Sequence, residues 1–439
     1  MSFNIGLSGL YAANKQLDVT GNNIANVATV GFKSSRAEFE DVYSASKLGT
    51  GSKTIGNGVR LANVSQQFTQ GDISNTGNVL DMGINGSGFF VLNNNGSLSY
   101  TRAGTFKVDK DGYVTNTDGT SRLQGYGVDA NGKIVNGVLT DLRIDTSNLA
   151  PKSTTSVSST INLNSTSDVI DVAANPFDPS KTASFTKQFS TPIFDTQGNQ
   201  HTMDQYMVKT GANTWDTYTL IDGRNPDGSD PTAAATPPVA STMSFDTSGK
   251  LVSVSTPNPP GAPIVSPDLK ITNWTPGTVT NGVWAANGAS ADPAGVTIAM
   301  ANTTQFNADT ARSIPSQNGY ATGQITNLTI DGSGVFLANF SNNQTKPIGQ
   351  LALASFTNEQ GLQPVGGTSW KETYASGIPG YDAAETGTLG SIASNSLEES
   401  NVNVTNELVD LIKAQSNYQA NAKTISTQST IMQTIIQMT

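Results

Sequence analysis

The chain carries one histidine, His201, in the segment DTQGNQHTMDQY, so hydrolase chemistry of the Ser-His-Asp kind would rest on a single imidazole. No nucleophile elbow of the form G-x-S-x-G accompanies it. Its place just after the turn Gly198-Asn199 predicts a surface residue flanking that turn. The carboxylate pairs Glu38/Glu40 and Glu398-Glu399 have the residue type for general acid–base work. They fall in stretches read as linker or helix start, where solvation or the helix dipole accounts for them. Asp109, Asp111 and Asp118 suggest a calcium loop, but Gly112 stands in the wrong place and no Glu closes the loop at its twelfth position. Hairpin turns are the reading adopted. The segment GTGSKT at 49–54 has Ser52 where a phosphate-binding loop needs glycine, and IGNGV follows where a helix should begin. With no cysteine there is no thiolate nucleophile, disulfide or thiolate metal site to consider. These residues predict no cofactor, no metal and no active site, and hence a chain that is not an enzyme.

What remains is structural. Charged residues make up 13% of the chain, about half the ordinary share, with Ser, Thr, Asn and Gly in their place. That suits a β-rich extracellular surface. A net charge of -10 without a Lys/Arg cluster would repel a phosphate backbone or an anionic lipid surface, so neither nucleic acid nor membrane is expected as a partner. The opening MSFNIGLSGLYAANKQ has no basic start, continuous apolar run or small-residue cleavage site, which predicts that any export avoids a cleaved signal peptide.

The elements that must do the work lie at the two ends. Val404, Leu408, Leu411, Gln415, Tyr418, Ala422, Ile425, Ser429, Met432 and Ile436 alternate steps of three and four, the heptad spacing of a helical seam. Asn403 is placed to cap that helix, with Glu407 in its first turn. The same period runs through Phe3, Leu7, Leu10, Asn14, Leu17, Gly21 and Ile24. From spacing alone, a hairpin of the two helices and packing between copies both stay open.

Between the ends, short alternating runs are punctuated by Asn-Gly and Asp-Gly, which is hairpin chemistry. Strands are predicted at 88–92, 98–102, 105–109, 113–116 and 122–126, and a second β region at about 160–300. That second region holds the prolines at 226, 231, 237, 238, 257, 259, 260, 263 and 267, read as exposed loops. The expected fold is α+β, with terminal helices forming a coiled-coil-like domain and two mainly-β domains in nested topology. The boundaries are residues 1–33 for the N-terminal helix, 34–80 for a Gly/Ser/Asn-rich linker, 81–150 and 313–390 for an inner β domain, 151–312 for an outer insertion, and 391–439 for the C-terminal helix.

The segment LDVTGNNIANVATVGFK at 17–33 and its counterpart SLEESNVNVTNELVDLIKAQSNYQANAKTISTQSTIMQTII at 396–436 resemble the signatures of the bacterial flagellar axial proteins, the family of rod, hook and hook-filament junction subunits. The stretches at 150–165, 194–215, 318–324 and 349–370 are similar to the hook branch of that family. The resemblance implies a subunit of a flexible helical tube that joins rod to filament and transmits torque as a universal joint. It implies self-polymerisation and contact with the distal rod, the hook-filament junction protein, the hook cap and the flagellar type III export apparatus. It places the stripe residues Phe3, Leu7, Leu10, Leu17, Ile24, Val404, Leu408, Leu411, Tyr418, Ala422, Ile425, Met432 and Ile436 at contacts between copies. A stripe this narrow buries too little area to offset chain entropy, so the termini are expected to order only on assembly. A secreted adhesin or polysaccharide-active β protein is the alternative from another class, and should show a signal peptide.

Overall fold

The computed structural model describes residues 2–42, 56–129, 132–257, 262–280 and 283–438. Most of these form β-sheet, with one long helix at each end: α1 (Ser2–Ala25) and α2 (Val404–Met438). The chain divides into two compact units, the first comprising 1–146, 326–339 and 345–439, the second 147–325 and 340–344.

In the first unit, strands Phe89–Asn94, Ser97–Thr101, Phe106–Val108, Val114–Asn116 and Arg122–Tyr126 fall within two residues of the boundaries expected from turn chemistry. Turn carboxylates explain why. Asp109 Oδ1 accepts from the backbone N–H groups of Asp111 and Tyr113, each at 2.8 Å, so these aspartates fold hairpins rather than bind calcium. The long strand Thr345–Ser355 pairs with Arg122–Tyr126, Phe89–Asn94 and Gly380–Ala383. Phe90, Leu92, Leu123, Leu351 and Leu353 fill one face as a dry core, while Phe89, Tyr100 and Trp370 pack on the other.

The second unit has a six-stranded antiparallel sheet running from Lys187–Phe194 to Ile264–Ser266 and a five-stranded sheet built on Ser156–Asn164. Trp215, Met203, Met207, Met243, Leu163 and Val296 form its core. The indole of Trp215 donates to Gln305 Oε1 at 2.9 Å, so its one polar atom is satisfied inside. Pro237, Pro257, Pro263 and Pro267 sit on exposed or loop positions, whereas Pro231 is buried; Pro259 and Pro260 lie outside the described residues.

The segment at 34–80 differs from the expected linker. Ser35–Asp41 pairs antiparallel with Val59–Gln66, and Ile73–Asn75 pairs with Ser396–Glu398. Composition had pointed to a spacer, but the alternating Val59, Leu61 and Ser65 on one strand find backbone partners on another, and a paired ladder outweighs Gly/Ser content. The phosphate-loop look-alike at 49–54 lies outside the described residues. The C-terminal segment also starts later as helix: Ser391–Ser394 and Ser396–Glu398 are strands, and α2 begins at Val404. Asn403 caps it as expected, its Oδ1 accepting from Asn406 N at 3.1 Å. At the other end α1 stops at Ala25, short of residue 33.

Candidate functional site

The two ends of the chain meet within the first unit, and small residues make the closest contact. On α1, Gly6, Ala13 and Thr20 are buried at seven-residue intervals, followed by Asn23. A side chain at Gly6 would lie 3.1 Å from Ile425, and one at Gly9 would lie 2.4 Å from the Asn421 amide. Asn23 Nδ2 donates to Glu407 Oε1 at 3.0 Å. Pairing of 23 with 407, 9 with 421 and 6 with 425 means that the helices run antiparallel. Ala414 is the one buried residue of α2.

The buried stripe of α1 is offset by one residue from the apolar stripe read in the sequence. Leu7, Leu10, Leu17 and Ile24 are half-buried on its flank, while Phe3 is exposed. On α2, Val404, Leu408, Tyr418, Met432 and Ile436 are exposed, and Leu411, Ala422 and Ile425 are half-buried. Val409, Ile412, Ile431 and Ile435, off the stripe read in the sequence, are exposed as well. Glycine, alanine and threonine let two backbones approach closely, so the within-chain contact consumes the small residues and leaves much of the large apolar surface outside it.

Where the helices enter the β unit, the conspicuous segments of both ends are stitched together. Glu398 Oε1 accepts from Lys33 Nζ at 2.6 Å and from Gly71 N at 3.0 Å. Its Oε2 accepts from an Arg102 amino group at 3.1 Å, and its backbone oxygen accepts from Gly31 N at 2.8 Å. The side chains of Lys33 and Glu398 are 0% exposed and that of Arg102 is 3% exposed. Burial pulls Lys33 below the ordinary lysine value and Glu398 only partly opposes it, so this carboxylate is what keeps a dry ammonium tolerable. Asn401 Oδ1 accepts from Ser34 N at 2.8 Å while its amide donates to Gln67 O at 2.7 Å. Asn23 closes the set by exchanging bonds with the Ser35 backbone at 2.8 and 2.9 Å. The reading of Glu398-Glu399 as solvated or dipole-stabilised therefore fails for Glu398. The only sequence signal for it was a Glu six residues ahead of the helix start at Val404.

His201 is also misplaced by the sequence reading, since it is buried at 3% exposure. Nδ1 lies 2.6 Å from Asp222 Oδ2 and Nε2 lies 3.3 Å from Asp195 Oδ2. With a carboxylate on each nitrogen, neither is free to act as base toward a hydroxyl, and the doubly protonated ring satisfies both. Asp195 also accepts from Asn199 and Asn287 at 2.8 and 3.0 Å, and the Trp274 ring packs edge-on at 5.3 Å. Burial alone would lower the imidazole pKa, but the hydrogen bonds it donates to Asp222 and Asp195, and their charges, outweigh burial and hold the value above 6.5. For Asp195 burial acts upward and is outweighed by its amide and imidazole donors, which hold it below the ordinary aspartate value. A raised histidine contributes stability that is complete below pH 6.5 and disappears as pH climbs through the folded-state pKa. The second unit should thus melt at progressively lower temperature above pH 6.5, with His201→Asn flattening that slope; calorimetry across pH 6 to 9 reads it directly.

Among the described residues no group of His, Asp and Glu is arranged to hold a metal ion, and no helix is long and apolar enough to cross a membrane.

Four family models match the chain: flagella basal body rod protein over residues 3–33, flagellar hook protein FlgE/F/G D1 domain over 83–167, flagellar basal body protein FlaE D2 domain over 162–320, and flagellar basal body rod FlgEFG protein C-terminal over 393–438. The chain is 38% identical to the flagellar hook protein FlgE of Escherichia coli strain K12 and to that of Salmonella typhimurium, covering 100% of both partners in each case. It is 32% identical to the FlgE of Borreliella burgdorferi, over 99% of this chain and 98% of the relative. In fold it is similar to the crystal structure of Helicobacter pylori flagellar hook protein FlgE2, with a TM-score of 0.52 at 15% identity, over 74% of this chain and 100% of that one.

Proposed function

Because the chain belongs to the flagellar hook protein FlgE family and is a structural subunit of the bacterial flagellar hook, we propose that its paired terminal helices form the packed inner wall of a helical tube. The observation that carries this reading is the division of labour on the helices. Small residues join α1 to α2 within one chain, while Leu408 and Met432 of the apolar stripe face outward, at 45% and 56% exposure. Apolar rows at heptad spacing are buried efficiently only by other helices, and copies of the same chain supply them. The contact residues are Phe3, Leu7, Leu10, Leu17, Ile24, Val404, Leu408, Leu411, Tyr418, Ala422, Ile425, Met432 and Ile436.

The β regions would form the layers outside that wall, with 81–150 and 313–390 as the inner one and the insertion at 151–312 as the outer one, in nested order. Their weakly charged surfaces suit small, wet contacts that exchange as the tube bends, the property of a universal joint. The same reading makes the subunit extracellular, exported through the flagellar type III apparatus without a cleaved signal peptide. It would meet the distal rod protein, the junction protein and the hook cap. It has no use for nucleic acid, membrane, cofactor or catalysis.

A Leu408→Asp/Met432→Asp double variant tests the wall. Both side chains are exposed in the monomer, so its melting temperature should stay within about 1–2 °C of the parent. Polymerisation should be lost, together with the additional amide-exchange protection across 404–436 that assembly is expected to bring. Tubes of normal length from this variant would refute the assignment.

A further inference from the structure

A loop of the first unit presents two large apolar side chains wholly to solvent. Between strands Ser369–Lys371 and Gly380–Ala383, Tyr374 is 105% exposed and Ile378 is 90% exposed. The loop that carries them is tightly braced. Thr373 Oγ1 donates to Gly361 O at 2.6 Å, Ser376 Oγ donates to Thr373 O at 2.9 Å, and Asn358 Nδ2 donates to Ala375 O at 3.0 Å. Ser376 is fully buried beneath it, and Gly361 sits so close that a side chain there would strike the Ala375 backbone at 2.4 Å. A braced loop loses little entropy when its tip is covered, which is the property of a preorganised binding knob.

The same unit holds a groove of about 800 Å³, lined among others by Asn26, Phe32, Asn116, Thr117, Pro364 and Trp370. Its lining is mostly apolar but includes the amides of Asn26 and Asn116 and the hydroxyl of Thr117, a mixture that suits a tyrosine with a buried ring and a satisfied phenol. Asn22 at the end of α1 and Asn26 just beyond it form one wall.

We propose that Tyr374 and Ile378 of one subunit insert into this groove on a neighbouring copy. The proposal rests on the polymer reading and deepens it. An open helical array requires two unlike patches on each subunit, because a self-complementary patch closes into a dimer. Knob and groove are such a pair, and residues 372–379 do not line the groove of their own chain. Aromatic anchors seated in preformed pockets carry most of the energy of such interfaces.

The absence of cysteine makes the test clean. In polymers of a Tyr374→Cys/Thr117→Cys variant, mild oxidation should produce a ladder of cross-linked dimers, trimers and higher species, absent from either single variant and from monomers. A Tyr374→Ser/Ile378→Ser variant should keep the parent melting temperature while its critical concentration for polymerisation rises about tenfold or more. Polymers without a ladder, or a serine variant with unchanged critical concentration, overturn the knob-in-groove contact and leave the polymer reading standing. Failure of the parent chain to polymerise would instead overturn the reading beneath it.

Discussion

Glu398→Ala is expected to destabilise the first unit by about 3–5 kcal/mol, because it strands two buried cations rather than removing one contact. Lys33 and Arg102 both donate to this carboxylate from positions with almost no solvent access. Among the described residues Arg102 Nε already lacks a partner, and without the carboxylate Lys33 would keep only its bond to the Thr69 carbonyl, at 2.7 Å. The same carboxylate also accepts from Gly71 N, and the backbone of this residue carries the Gly31 bond and the strand pairing of 396–398 with 73–75. Glu398→Gln should cost nearly as much, since an amide keeps the shape but not the charge. The decisive comparison is a Lys33→Met/Arg102→Leu/Glu398→Leu variant, which removes all three charges together. It should recover a large part of the loss, as apolar replacement of whole buried ion networks does elsewhere. Calorimetric scans that resolve the first unit's transition from the second's give the answer. A Glu398→Ala protein that melts like the parent would show that the node contributes nothing to holding the termini.

Gly31→Ala is the second large effect, and here the cause is steric. Gly31 has φ +67°, in the left-handed region that costs other residues about 1–2 kcal/mol. A methyl group there would also lie 2.4 Å from Ala103 N and 2.6 Å from Arg102 C. Backbone atoms cannot rotate away, so the loop must move, and moving it pulls the Gly31 N–H off the Glu398 backbone oxygen. Gly77 supplies the control. It has φ +75° with nothing within 4 Å of a substituted Cβ, so Gly77→Ala bears the conformational cost alone. The loss in Gly31→Ala beyond that of Gly77→Ala, read as a shift in the urea midpoint of the first unit, measures the steric overlap at the junction. Equal shifts would mean that the loop has room to relax.

Both substitutions act where the terminal helices meet the strands of the first unit, a junction joined by the bonds of Lys33 and Gly31 to Glu398.

How much of this was legible in the sequence depends on the distance over which each feature is decided. Heptad spacing placed both terminal helices, Asn403 marked the start of one, and Asp-Gly and Asn-Gly pairs located the hairpins of 89–126. Each of these is set by residues a few positions apart. Resemblance of the two terminal signatures identified the family for the same reason, since the signatures are local strings. The missed features all rest on contacts between residues far apart in the chain. Lys33 and Glu398 are separated by 365 positions and Arg102 and Glu398 by 296, so no local pattern distinguishes this buried carboxylate from its neighbour Glu399. His201 looked like a turn residue until folding brought Asp222 and Asp195 to its two nitrogens. The strands at 35–41 and 59–66 were hidden by a spacer-like composition. On α1 the period was legible but the phase was not. The apolar positions repeat every seven residues, yet the stripe that touches α2 is the small-residue one, a single position earlier, because close approach of two backbones selects for size and only the partner helix decides which face is approached. The sequence alone thus determined the local elements, while tertiary structure decided which charges are dry, which glycines bear the junction, and which apolar surface stays exposed.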